Sequence, residues 1–538
     1  MVSRYTLPRW AIGLTITIFI VGFISRIAPM FDMEGRLLQQ FVTEDGYLML
    51  TIARNVALGL GMSTAEGTIA TNGTQPFTTF IWAIGYLFSD ANKIHGVMFA
   101  HIVQLVVSIA SSYILYRLAR KVFNYSRYNK EVAFILSALF FASPHILPHT
   151  MNFLETGVFL FAILIVVYTF EETDEDAENL WTITQTIGVG ILLGWMFWVR
   201  IDSAFIILAV CLSYLFRGIP FGRSHLQQRF LRVIIFGSVS VLVALPWLIN
   251  NYVRFGSITP ISGQSQADQD FAHNIAVVPS ILVEYLSIIF PIPQKFQDHS
   301  LIVIICLMAV ILASAILIYI WKKTSQRYRS LILMGVITTI CYVGYYGLFF
   351  GAKHFMARYL AALAPFISLF TAACILYLVT SFYKKFSFLF VVTSLGVMAI
   401  VIGLNGWIYK KGMPHQHSAV VNWVKENVPE DTWIGAIQTG TLGYFHDRTI
   451  NMDGKVNPEA LAVRQGKSHC PETDTASEGE IDCLPYYIVS KEIWYFVDWY
   501  GFAEWADKPP MDQHFTVVVS DPDANLTVLK RHNAPEKQ

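Results

Sequence analysis

Charge is what this chain is short of. Only 14% of its 538 residues are Asp, Glu, Lys or Arg, where soluble domains carry roughly 25%. Its 38 basic and 38 acidic residues cancel, which argues against a nucleic-acid binder working through bulk positive charge. Cysteine is scarce as well, six in all, and that excludes a disulfide-dense scaffold. No internal repeat and no Walker, Rossmann or zinc-ligand spacing occurs, so nucleotide and structural-zinc chemistry have no motif to rest on. In place of charge the chain has 54% hydrophobic residues and a mean hydropathy of +0.49. Lipid takes water's place around much of it.

A crossing helix needs about 20 apolar residues. Residues 9–28 qualify, flanked by Arg4 and Arg9, and "SRIAPMFDMEG" follows in place of a small-residue cleavage site, so this reads as a retained first span. Further spans are predicted at 95–118, 131–148, 153–170, 181–199, 203–217, 232–250, 300–320, 330–350, 359–380 and 386–409, about eleven in total. The Lys- and Arg-rich loops 116–130, 216–232, 321–329 and 382–385 belong in the cytoplasm by the positive-inside rule. They share one side only if "FTTFIWAIGYLFS" (77–89) does not cross, and it is too short to do so. It is predicted to lie in the interface. The N-terminus is then cytoplasmic. Loops 29–94, 148–153, 251–299 and 350–358 fall outside, with everything after 410.

The tail changes character. "HSAVVNWVKENVPEDTWIGAI" reads as an amphipathic helix, a Pro turn and a strand; "FTVVVSDPDANLTVLKRH" reads as strand, turn, strand. The expected fold is a polytopic α-helical membrane domain, 1–409, followed by an extracytoplasmic α/β domain, 410–538. Cys470 and Cys483 lie in that outer domain, where an oxidising compartment favours a disulfide between them.

The first outer loop, 29–94, opens with an acidic pair, Glu44 and Asp45, in "TEDGYLMLTIARNVALGLG". One reading makes Asp45 a helix N-cap, with Leu48, Ile52 and Val56 as a stripe facing lipid and Gly59 and Gly61 as stop signals. The other makes it a general base at the membrane surface. Transfer of a sugar from a lipid phosphate needs one base on the acceptor hydroxyl, because phosphate leaves well; a glycosidase needs two carboxylates. It also needs positive charge around the departing phosphate. Lys353, His354 and Arg358 sit in the short loop "FGAKHFMAR", and Arg200 with Asp202 sits in "WVRIDSAF". Glu155 sits in "HTMNFLETGVF". Cations at span ends also snorkel to headgroups, Arg200 and Asp202 also read as a mutual pair, and Glu155 suits a cap.

These residues together resemble the GT-C superfamily of membrane glycosyltransferases, most closely the bacterial branch containing the terminal arabinofuranosyltransferases of mycobacterial cell walls. That branch has an Asp-Asp-Ala-Tyr motif after its first span, then Arg-Asn and Gly-x-Gly. Here Glu44, Asp45, Tyr47, Arg54, Asn55, Gly59 and Gly61 match, with Glu for the first Asp and Gly46 for Ala. A Met-Glu-Thr-Gly pattern is similar to Leu154-Glu155-Thr156-Gly157, Arg-Pro-Asp to Arg200-Ile201-Asp202, and Arg-Tyr-Leu to Arg358-Tyr359-Leu360. "TGTLGYFHDRTINMDGKVNPEAL" in the tail also looks like the family's. The resemblance implies a polyprenyl-phosphate sugar donor, an extracytoplasmic glycan, lipid or protein acceptor, and a multi-pass location in a bacterial plasma membrane. It implies Asp45 as base, with Glu44 orienting the acceptor or binding a metal. Lys353, His354, Arg358 and Arg200 would face the donor phosphate. Glu155, Asp202, Tyr47, Arg54 and Asn55 would orient substrate. A divalent cation (Mg, Mn or Ca) stays open as a cofactor.

The alternative is a transporter or flippase of lipid-linked sugars. Transporters place ionisable groups near the bilayer midplane. Here His101 and Gln104 are the main polar residues within the predicted spans, which favours the transferase.

Overall fold

The computed structural model describes residues 9–124, 126, 128–173, 180–216, 223–266, 271–297, 299–323, 326–349, 356–411, 417–469 and 482–537. Six helices among them are long and apolar enough to cross a membrane: Ile12–Phe31, Lys93–Val122, Leu226–Phe255, Ser300–Tyr319, Tyr328–Phe349 and Ala357–Leu378. This is fewer than the eleven expected, and the reasons are local. The predicted span 131–148 stops at Ala142, because Ser143 Oγ accepts the backbone N–H groups of His145 and Ile146 and starts a new short helix, Ile146–Thr150. Ile183–Val199 and Ala204–Leu215 are apolar but short. The two late spans, 359–380 and 386–409, lie along one continuous helix, Ala364–Lys411. The basic loop expected at 382–385 falls inside it, so no turn separates the two spans. The expected loop 251–299 contains a further helix, Phe271–Leu286, with Pro279 inside it; its Ile281 and Tyr285 join the main helical core.

After the first helix, α1 (Arg9–Ile27), a π-helical segment at Met33–Phe41 leads to α2 (Glu44–Ala57). The cap of α2 is Thr43, not Asp45: Thr43 Oγ1 accepts from Gly46 N at 3.1 Å and donates to Asn152 O at 2.9 Å. Gly46 is required at this close approach, since a Cβ there would collide with Asn152 O. Gly59 (φ +79) and Gly61 (φ +70) end the helix in the left-handed region, as predicted. A two-stranded hairpin, β1 (Ser63–Thr64) and β2 (Ile69–Ala70), follows. Then comes α3 (Pro76–Leu87), with Pro at its start. At 12 residues α3 cannot span, and Phe80, Ile84, Leu87 and Phe88 form an exposed stripe along it. That suits an interfacial helix.

The C-terminal unit carries a five-stranded sheet of order β4-β3-β5-β7-β6, built from β3 (Ile434–Ala436), β4 (Thr449–Asn451), β5 (Tyr495–Asp498), β6 (Phe515–Asp521) and β7 (Leu526–Arg531). Strands β4, β3 and β5 are parallel; β7 and β6 add antiparallel. The predicted helix–turn–strand and strand–turn–strand patterns fall on Ser418–Asn427 with β3, and on β6 with β7. The loops after β3 and β4 bear on α2. Leu48 and Ile52, expected in lipid, are buried with Val456 of this unit. On its other face α2 packs Tyr47, Met49, Leu50 and Ala53 with Trp82 and Tyr86 of α3. Helix α2 is therefore wedged between the helical body and the sheet unit.

Candidate active site

The start of α2 is where the sequence-predicted residues converge. Asp45 Oδ2 lies 2.8 Å from Arg358 Nη1, with both side chains mostly buried. Arg358 follows an expected cation loop; Lys353 and His354 of that loop lie outside the described residues. Tyr285 donates to Ala357 O and ties this segment to the helix Phe271–Leu286. The Tyr359 ring sits between two guanidinium groups, 5.1 Å from that of Arg358 and 5.0 Å from that of Arg200. Arg200 Nη2 lies 2.9 Å from Asp202 Oδ2, and Arg200 Nε lies 3.8 Å from Glu155 Oε1. Tyr346 stacks on Tyr359 at 4.9 Å and donates to Asp202 Oδ2 at 2.5 Å, while Tyr342 donates to Asp202 O at 3.0 Å. Asp45, Glu155, Arg200, Asp202 and Arg358 thus form one network of carboxylates, arginines and tyrosines.

That network keeps unspent polar capacity. Arg200 Nη1 and Asp202 Oδ1 are buried without a hydrogen-bond partner among the described residues. Buried polar groups normally find partners, so an orphaned donor and acceptor in one pair fit a site that takes a polar ligand.

The other predicted residues support the network from outside. Glu44 accepts from Gly440 N, from Thr441 N at 3.1 Å and from Thr441 Oγ1 at 2.5 Å, at the start of the helix Gly440–Phe445. Arg54 Nη1 lies 3.0 Å from Asp447, and Lys93 Nζ lies 2.9 Å from the same carboxylate. Burial pushes the Asp447 carboxyl up, but these two cations outweigh it and hold it below the usual range. Tyr47 donates to Leu38 O at 2.6 Å, and Asn55 Nδ2 donates to Ser63 O at 2.9 Å, ordering the hairpin loop. Phe153, next to Glu155's turn, is held at φ +65 with its carbonyl accepting from Trp82 Nε1 at 3.0 Å. Cys483 is disulfide-bonded; Cys470, its expected partner, lies outside the described residues.

One cation was missed from sequence. Lys455, after β4, has Nζ 3.2 Å from Asp453 Oδ2. Burial pulls its ammonium down, but Asp453 and then Asp45 outweigh that and hold it above its ordinary value. The signal available was only "NMDGKVN", a charged turn in a tail of unassigned role.

The described carboxylates of the site already have partners. Glu44 is taken up by N–H and hydroxyl donors, Asp45 faces Arg358, and Asp202 and Glu155 face Arg200. Among the described residues no three His, Cys, Asp or Glu side chains converge.

A family model described as a domain of unknown function (DUF8728) matches residues 408–523. No curated protein matches the chain in sequence. Solved structures match it in fold. ArnT from Cupriavidus metallidurans bound to undecaprenyl phosphate is 12% identical, with 99% of this chain and 100% of that chain covered and a TM-score of 0.59. The Archaeoglobus fulgidus oligosaccharyltransferase tethered to an acceptor peptide is 13% identical, with 95% and 72% covered and a TM-score of 0.55. Oligosaccharyltransferase AglB from the same organism, in complex with an inhibitory peptide and a dolichol-phosphate, is 13% identical, with 98% and 75% covered and a TM-score of 0.53. These matches show the fold alone: a polytopic helical membrane body with a small C-terminal sheet domain.

Proposed function

We propose that the chain is a membrane glycosyltransferase that moves a sugar from a polyprenyl-phosphate donor to an acceptor hydroxyl or amide of a glycan, lipid or protein. The observation that carries this reading is the Asp45–Arg358 pair at the head of α2, continued through Tyr359 into Arg200, Asp202 and Glu155. Two proteins of similar fold are described in complex with undecaprenyl phosphate and with dolichol-phosphate. An anionic, lipid-linked donor suits a site that holds two arginines among its carboxylates.

In this mechanism Asp45 takes the proton from the acceptor as its oxygen or nitrogen bonds to the anomeric carbon. The bond from that carbon to the phosphate oxygen breaks, and polyprenyl phosphate leaves with the electron pair. Arg358 and Arg200, with Lys353 and His354, stabilise the charge gathering on the phosphate. Arg358 also keeps the Asp45 carboxylate aimed. The reading places the site and the sheet domain on the extracytoplasmic side of a plasma membrane, as the basic loops imply.

The motif resemblance makes a polyprenyl-phosphate pentofuranose the first donor to assay, ahead of hexoses. The test is the purified chain in nanodiscs with a panel of polyprenyl-phosphate sugars, reading release of polyprenyl phosphate and labelled product. No turnover above protein-free nanodiscs, with any sugar and any acceptor class, would overturn the assignment.

A further inference from the structure

We propose that Lys455 of the C-terminal domain is a ligand for the phosphate of the lipid-linked donor, so that this domain completes the site rather than decorating it. The inference rests on the glycosyltransferase reading and adds a subsite to it.

Position comes first. Lys455 lies in the loop at the carboxyl end of β4, beside the parallel β3 and β5. Ligands of open parallel sheets bind at that end. Gly454 (φ +80) reverses the chain there, and Lys455 N donates to Asp453 Oδ1 at 2.8 Å. The loop is pressed onto the membrane body at two points. A Cβ on Gly73 would collide with the Lys455 carbonyl, and Val456 is buried against Leu48 and Ile52 of α2. Leu48 is one helical turn from Asp45. The loop that carries Lys455 is thereby held against α2, close enough for Asp45 and Tyr359 to act on its ammonium through space.

Charge comes second. The described cations near the site each face a carboxylate: Arg358 faces Asp45, Arg200 faces Asp202 and Glu155, and Lys455 faces Asp453. A departing phosphate brings additional negative charge. Docking does not require Lys455, because Glu44 and Asp447 already join the domain to the body at other points. A compact ammonium on a flexible stem, held at 3.2 Å by Asp453 on a loop packed against α2, suits a phosphate oxygen.

The experiment measures binding of polyprenyl phosphate, polyprenol and inorganic phosphate to the full chain in nanodiscs. Lys455→Met should weaken polyprenyl phosphate about 10- to 100-fold, the worth of one charge-assisted hydrogen bond. It should leave polyprenol unchanged, and Lys455→Arg should restore most of the loss. Lys455→Cys, compared before and after aminoethylation, gives the same contrast on one folded sample, with the natural chain treated in parallel. Recovery of binding on aminoethylation supports the subsite. Lys455→Met binding polyprenyl phosphate as tightly as the natural chain would overturn it, leaving Lys455 as the partner of Asp453 alone. If the natural chain does not prefer polyprenyl phosphate to polyprenol, the glycosyltransferase reading fails first and the subsite with it.

Discussion

Thr441 gives Glu44 two hydrogen bonds, one from its backbone N–H at 3.1 Å and one from its hydroxyl at 2.5 Å, across a separation of 397 residues. Gly440 N adds a third. A carboxylate beside the N-terminal N–H groups of a helix is favourable on both charge and hydrogen-bond grounds. Glu44 therefore acts as a latch between the membrane body and the sheet domain. Glu44→Ala should speed amide exchange across residues 437–445 and lower the melting temperature, at a cost of about 1–3 kcal/mol. Glu44→Gln should do less, because its carbonyl still accepts. Unchanged exchange in Glu44→Ala would remove the latch.

Arg358 is predicted to serve two anions, Asp45 and the donor phosphate. Arg358→Gln should lower turnover about 10²–10³-fold, the usual cost of removing one oriented electrostatic donor. Arg358→Lys should recover only part, since an ammonium cannot hold a carboxylate and a phosphate in one planar fork. Steady-state kinetics with a polyprenyl-phosphate sugar decide it. Near-normal turnover in Arg358→Gln would reduce the residue to a structural partner of Asp45.

Glu44 faces N–H and hydroxyl donors, and Asp45, Glu155 and Asp202 face arginines, so catalysis should not need a divalent cation. Turnover is expected to survive EDTA treatment within about twofold, and added Mg, Mn or Ca should not raise it; the basis is that site carboxylates already paired with cations make poor metal ligands. Loss of activity with EDTA and recovery with one of the three ions would contradict this.

What was legible in the sequence follows periodicity and local chemistry. The helix Ser418–Asn427 and the β6–β7 hairpin show in their own patterns. Asp45, Glu155, Arg200, Asp202 and Arg358 stand out as charges at the ends of apolar runs. Partners far away in the chain were not legible. The Leu48–Ile52 stripe reads the same whether lipid or Val456 covers it, because both are apolar. Thr43 and Asp45 are both good caps by residue type, and only the fold shows which oxygen meets Gly46 N. Lys455 looks like any turn lysine until β4 brings it onto α2. The helix Phe271–Leu286 was hidden by Pro279, which reads as a breaker.

Asp498, at the end of β5, should set a pH dependence for the sheet domain. It is fully buried, and burial pushes its carboxyl up to about 7 against the pull of N–H groups from Trp499, Ile437 and Gln438; nearby Glu44 raises it further. A carboxyl whose folded pKa is raised binds its proton more tightly in the folded state. Its contribution is present in full below the unfolded value, near 4, and is lost progressively as pH rises to 7. The slope approaches about −1.4 kcal/mol per pH unit within that window. Melting of Asp498→Asn should lack this slope. A natural chain with flat stability between pH 4 and 7 would show the carboxylate already ionised.

Asp45 is where capping and catalysis make different demands, and the structure separates them. Thr43 Oγ1 caps α2, so neither Asp45→Asn nor Asp45→Ala removes the cap. What Asp45 makes is the 2.8 Å contact to Arg358. Asn keeps an oxygen that can accept from that guanidinium, but it cannot take a proton from an acceptor. Asp45→Asn should therefore hold its melting temperature and its affinity for polyprenyl phosphate while losing transfer about 10²–10⁴-fold, the range for a general base. Asp45→Ala should lose transfer to the same extent. It should bind polyprenyl phosphate at least as well, because Arg358 then loses its carboxylate partner and is left to the phosphate. A base acts on k_cat, so KM for the donor should stay near its natural value in both variants. Transfer by Asp45→Asn at the natural rate would leave Asp45 as an anchor for Arg358, and would move the search for the base to Glu155, which faces Arg200 in the same network.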